Sequence, residues 1–345
     1  MKIPLKIFVF IAALSLPMIG ISAENNKTVN VLTWWGYLDD PATKKLVKKE
    51  CDAFLSYDSY TSNDDMLRRW DINASKYDVL IFSDTIYNSI KDKIVLNNSE
   101  LWKKSKDYTP AIKKEYNSSH FPHNIAYFAH SLTGFVWNPA VVHLTKDDTA
   151  KTAFKKAKNN KVILLDDPVE ISMLLEMPKK NKDRNEKNQI SLEHFKPLIQ
   201  ESKIYISNEV NKIYSYRDFA FSYQWSGVAF SDDKNIKAYK FLINQHLSYV
   251  TTDVIAQIKD RKIAACVAGV LSSKQFLSKV QNKSKYFSPY GNIDAVPEGS
   301  FKETYKNFLT NLPKLHWLKP PSPVQLKKLN HEWDKVKYEL TQNRE

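Results

Sequence analysis

The chain has 345 residues, a formal net charge of +13, two cysteines and only seven glycines. The glycines, Gly20, Gly36, Gly134, Gly227, Gly269, Gly291 and Gly299, cannot form a G-x-G-x-x-G turn, a phosphate loop or a G-x-S-x-G nucleophile elbow, which removes nucleotide enzymes and serine hydrolases of those types. The basic residues are scattered and no recognition motif accompanies them, so the charge reads as a lysine-rich solvated surface and no nucleic acid partner is expected.

The N-terminus reads as an export signal. Lys2 and Lys6 precede an apolar run from Ile7 to Ile21, broken by Ser15 and Pro17, and Ile21-Ser22-Ala23 offers small residues to a signal peptidase. The run falls short of the ~20 apolar residues of a membrane span. No Cys follows it to carry a lipid. Cleavage near Ala23 and a periplasmic location are expected. The remaining chain is long for one core, which predicts two lobes.

Val29–Trp34 (VNVLTW) reads as a first strand. A turn at Gly36 and Pro41 leads to a helix over Ala42–Ala53, whose Lys44, Lys45, Lys48 and Lys49 fall at surface spacing. Phe54–Tyr60 alternates like a strand, and Asp64–Asp71 suits a helix with acids in its first turn. Tyr77–Phe82 (YDVLIF) is a continuous apolar run, as in a buried parallel strand, and Ser83-Asp84 caps the next helix. Leu132–Trp137 reads as a strand crossing between lobes. Lys161–Leu165 is another buried strand, ending in Asp166-Asp167-Pro168-Val169-Glu170. Lys179–Asn188 is a polar loop, Phe219–Phe230 is strand-like, Asn235 to about Val280 is helical, and Gln325–Leu340 is an amphipathic helix. The alternation of strands and helices predicts an α/β protein with a central sheet in each lobe. The expected division is 24–136 with about 227–290 for one lobe, and 137–226 with about 291–345 for the other.

In parallel α/β sheets ligands sit beyond the carboxyl ends of strands. That rule selects Trp34, Tyr37, Ser83, Asp84, Asp167, Glu170 and Trp225 as candidate ligand-binding residues. Aromatic faces attract cations and carboxylates hydrogen-bond ammonium groups, so this set fits an alkyl polyamine. His120, His123 and His130 lack a Cys or acid to complete a metal set, and no metal or cofactor is expected. Asp166-Asp167 have no neighbouring His, Lys or nucleophile, so no catalytic residue is assigned and the chain is not read as an enzyme. Cys51 and Cys266 could pair or remain two buried thiols, and the spacing leaves both open.

These stretches also carry a resemblance. Asn30–Tyr37 (NVLTWWGY), Tyr57–Met66 (YDSYTSNDDM), Tyr77–Ser83 (YDVLIFS), Leu164–Glu170 (LLDDPVE), Trp225–Phe230 (WSGVAF) and Asn235–Asn244 (NIKAYKFLIN) are collinear with, and similar to, segments of the periplasmic spermidine/putrescine-binding proteins. The resemblance implies a Venus-flytrap fold, two lobes closing on a polyamine by hinge motion, delivery to an ABC-type permease, and a monomer. It implies that Trp34 and Tyr37 line one wall, that Ser83 lies at the mouth of the first lobe, that Asp167 and Glu170 receive amines, and that Trp225 stacks on the alkyl chain. Asp84 replaces a small residue of the pattern and Thr85 an aromatic one. The family's later W-x-D, whose Asp clamps an amine, has no counterpart before the Asn235 segment. A second expectation arises from that gap: the scaffold is kept, polyamine capture is lost, and the chain is a sensory or partner-binding module or takes another small ligand.

Overall fold

In a computed structural model, residues 27–95, 99–119, 121, 125–174, 196–199, 202–216, 218–231, 238–244 and 246–342 are described. The export signal, the polar loop at 179–188, His120 and His123 lie outside them. Single-turn segments aside, the elements are β1 Thr28–Trp34, α1 Pro41–Cys51, β2 Phe54–Tyr60, α2 Asn63–Asn73, β3 Val79–Ser83, α3 Ser99–Lys104, α4 Pro110–Ser118, β4 Ile125–Trp137, α5 Ala150–Lys156, β5 Lys161–Leu164 and α6 Pro168–Met173. Next come β6 Lys203–Ile206, α7 Val210–Ser215, β7 Phe219–Trp225, β8 Lys240–Leu242, β9 Tyr249–Gln257, α8 Lys262–Leu271, α9 Lys274–Ser284, α10 Ser300–Asn311, β10 His316–Trp317 and α11 Pro323–Gln342. Among the described residues no helix is long and apolar enough to cross a membrane.

Of ten paired strands, eight form one path in the order β2-β1-β3-β9-β4-β7-β5-β6, with β10 on β9 and β8 on β4. The α/β class and two-sheet organisation are as the sequence predicts, with one refinement: the halves share a strand. Residues 125–132 of β4 pair with β9, and Thr133–Trp137 pair with β7. β1 lies parallel to β2 and β3, and β5 parallel to β6 and β7. β3 is buried along its whole length, which explains its unbroken apolar run.

Local signals set the helices. Asp40 caps α1 by accepting the Ala42 N–H at 2.8 Å, Pro41 begins it, and Lys48 and Lys49 face the negative end of its dipole. Ser62 caps α2 through the Asp65 N–H. Gly36 takes φ +91°, which a side chain would resist, and so turns β1 toward α1.

Cys51, ending α1, and Cys266, within α8, form a disulfide with Cα atoms 5.8 Å apart. Sequence could not choose this pairing, because the contact joins residues 215 positions apart.

One expectation fails. The stretch from Asn235 to Val280 is not helical throughout: it contributes β8 and β9 before α8 and α9 begin. Eight of nine β9 residues are buried, so the polar/apolar alternation that marks a strand is missing. Val296, Phe301, Tyr305, Phe308, Leu312, Leu318 and Leu326 pack into the core around β1, β3 and β9, whereas only the end of α11, at Trp333 and Val336, joins the core around β5 and β7. The stacked rings of Phe287, Phe301, Tyr305 and Phe308 hold α10 on the first core.

Candidate functional site

The carboxyl ends of β1, β3, β5 and β7 converge, and β9 joins them. Trp34 closes β1 and its indole N–H donates to Asp253 at 3.0 Å. The Tyr37 hydroxyl donates to the other Asp253 oxygen at 2.5 Å. From the other half, the Trp225 indole donates to Glu170 at 2.6 Å, and Thr133 donates to the second Glu170 oxygen. Rings of the two halves touch: Trp34 and Trp225 meet edge-on with centroids 5.9 Å apart. Tyr60 backs Trp34 at 4.6 Å, and Phe128 backs Tyr37 at 4.9 Å.

Asp167 is the N-cap of α6. One oxygen accepts the Val169 and Glu170 N–H groups at 2.9 and 3.1 Å. The other accepts from the Asn63 carboxamide at 2.8 Å. Ser83 hydrogen-bonds Thr85 at 2.9 Å, and Thr85 in turn takes an Asn63 N–H at 3.1 Å. Asp84, 3% exposed, keeps one oxygen with no partner among the described residues.

The structure gathers all seven candidates into one cluster of contacts at the strand ends. Their neighbour Asp166 turns the other way, to the Trp333 indole at 2.8 Å and Lys337 at 3.3 Å. His130 is buried against Thr252, and burial holds its pKa down to about 3, so it stays neutral. No group of three or more His, Cys, Asp or Glu among the described residues could hold a metal ion.

Sequence reading missed four members: Asn63, Thr133, Tyr286 and, above all, Asp253. Asp253 adds a carboxylate from β9. The available signal was a lone acid in the run YVTTDVIAQ, since an unpaired charge inside a core strand is costly without a purpose. Gly227 makes room for Tyr286: a Cβ there would meet the Tyr286 ring and the Ser284 carbonyl at 2.6 Å.

The electrostatics result from burial without counter-charge. Desolvation pushes Asp84 well above the usual carboxylate range, with the Asp253 charge adding to it and the Thr252 and Thr85 N–H groups opposing. Desolvation likewise raises Asp253 to about 6, against the donated bonds of Tyr37 and Trp34. Glu170 is raised by burial and by Asp167, and Asp167 by burial against its three N–H donors. The charges of Asp253 and Glu170 both reach Tyr286 and, after burial, hold its hydroxyl protonated. Among the described residues no Lys or Arg pairs with any of the four acids. The site is acceptor-rich and aromatic-walled, and Lys337, which shares a pocket with Asp167, is held by Asp166 and Asp334.

Neither a protein-family description nor any curated protein sequence matches the chain. Solved structures do. The spermidine/putrescine ABC transporter substrate-binding protein PotD of Streptococcus pneumoniae superposes with a TM-score of 0.69 over 92% of this chain and 100% of its own, at 17% identity. The chain has the fold of ABC-transporter substrate-binding proteins. This substrate-binding-protein fold is shared at similar depth by the Tp0655 (TpPotD) lipoprotein of Treponema pallidum, with TM-score 0.70, 14% identity and coverage of 90% and 99%. It is shared too by MotA of A. tumefaciens B6, solved with glucopine, with TM-score 0.66, 13% identity and coverage of 90% and 99%. Ligand class is therefore a question for the chemistry of the crevice.

Proposed function

We propose that the chain is a solute-binding protein that captures a small polycationic amine of the putrescine/spermidine kind and delivers it to an ABC-type permease. One observation carries the reading: Asp84, Asp167 and Glu170 are buried and Asp253 is half-buried beside one set of aromatic rings, with no basic side chain paired to them among the described residues. Carboxylates so placed without a counter-ion are costly unless a cationic guest arrives. The acids influence one another, yet no three converge closely enough for a metal ion. That spacing suits amines separated along a chain, which charge-assisted hydrogen bonds would fix individually. A zwitterion or opine would also need a cation for its carboxylate, and none lies among the four acids.

In this reading Trp34, Tyr37 and Trp225 pack the methylenes, and Asp84, Asp253, Asp167 and Glu170 take the amines. Ser83 helps through Thr85. The first lobe comprises the chain to Leu132 with the segment from β9 to Leu326, and the second runs from Thr133 to β8 with the end of α11. Export through the N-terminal signal, a periplasmic location and a monomeric state complete the proposal.

Calorimetry with putrescine, spermidine and the zwitterion γ-aminobutyrate tests it. Micromolar binding of the amines, lost in Asp84→Asn and absent for the zwitterion, is expected. No heat with either amine at millimolar concentration would sink the reading. A second reading has its own support: each oxygen of Asp167, Glu170 and Asp253 already accepts a bond from the protein, and the tryptophans touch. A scaffold that closes on itself, as a sensory or partner-binding module, fits those contacts and predicts the silent calorimeter.

A further inference from the structure

We propose that Asn63 is a positioning residue that locks the two halves of the molecule across the crevice and holds Asp167 ready for the guest. Asn63 is the first residue of α2, placed by the Ser62 cap on the side of the first core. Its carboxamide nitrogen carries two protons, and both are used. One goes to Thr85 on its own side at 3.1 Å, the other to Asp167 at 2.8 Å on the far side, 104 positions along the chain.

The orientation is fixed by chemistry. An ionised carboxylate only accepts, so the amide must present nitrogen to Asp167 and turn Oδ1 away. That oxygen is buried without a partner among the described residues. Asn63 and Asp167 also line one pocket with Asp64, Asp166 and Lys337. The bond thus fixes the Asp167 oxygen left over from helix capping and leaves an acceptor beside it.

A neighbouring contact marks the same seam. Asn208 accepts the Asp166 N–H at 2.8 Å and reaches the Thr61 carbonyl at 3.5 Å. The loops Thr61-Ser62-Asn63 and Asp166-Asp167 therefore face one another along two side chains, of which only Asn63 makes a short charge-assisted bond. Such a bond exists only while the halves are closed, and its loss shifts the population toward open forms.

Small-angle scattering of the unliganded protein, together with dissociation rates of putrescine, tests the lock. Asn63→Ala is expected to enlarge the radius of gyration and to speed putrescine release by about ten-fold, the weight of one hydrogen bond to a charged group. Asn63→Asp places a second acid against Asp167. It should open the molecule at about pH 8 and let it close again near pH 5, where the new carboxyl is protonated and can donate. A residue that merely supported α2 would show no such reversal. Thr85→Val removes the other anchor without altering the start of α2, and serves if Asn63→Ala does not fold. Folded variants with an intact disulfide whose scattering equals that of the unaltered protein at both pH values would overturn the lock. The release-rate arm rests on the cation reading above and the scattering arm does not, so a silent calorimeter removes the ligand while leaving the lock to be judged by shape alone.

Discussion

The two sides of the crevice hold their acids in different ways. On one side Asp253 projects from β9 opposite Ser83, and Asp84 follows directly after the end of β3. Asp253 is met by two side-chain donors, whereas Asp84 has the Thr252 and Thr85 N–H groups and one oxygen without a partner among the described residues. On the other, Asp167 and Glu170 open a short helix, and Asp167 collects two backbone N–H groups and an amide. Strands present carboxylates on a rigid but dry surface, whereas a helix start supplies donors that favour the charged form. The contrast lies in the donors and not in proton affinity, since burial raises the pKa on both sides.

The largest test of that contrast is Asp253→Asn, which removes a half-buried charge while Tyr37 and Trp34 remain. It should weaken putrescine binding by about 2–5 kcal/mol, read by calorimetry. Asp167→Ala on the helix side should cost less in binding but also lower stability by about 1 kcal/mol, because the cap is lost. A third difference is covalent: the disulfide lies wholly within the strand-side half, between α1 and α8. Cys51→Ser should destabilise that half by about 3 kcal/mol in denaturant titration, leaving the local stability of β5–β7, tracked by hydrogen exchange, little changed.

The smallest effect is protonic. Asp84 and Asp253 have raised pKa values in the unliganded fold, so their protonated forms add stability below the ordinary carboxylate range, and this is lost as pH rises through about 6 for Asp253. A bound dication reverses the preference and expels protons. Amine affinity should therefore tighten by about ten-fold from pH 5 to pH 8, with an enthalpy that depends on the ionisation heat of the buffer. Affinity independent of pH would mean the strand-side acids are already ionised.

Much of this was legible beforehand. The apolar run at Val79–Ser83 and the turn at Gly36 placed β1 and β3, and the rule of strand ends placed Trp34, Asp84, Asp167 and Trp225 around one crevice. Asp253 was not legible, because a strand covered on both faces shows no alternation and β9 was read as helix. Asn63 escaped because its role appears only when residues 104 positions apart meet. The partner of Cys51 was hidden for the same reason.

Because β4 runs unbroken from Ile125 to Trp137 and changes neighbours between Leu132 and Thr133, it works as a lever with its fulcrum inside the crevice. Thr133, the first residue beyond the fulcrum, grips Glu170 directly. A swing of one sheet against the other would bend β4 at that point and carry Glu170 with it, so a guest held as proposed would feel the movement through one peptide.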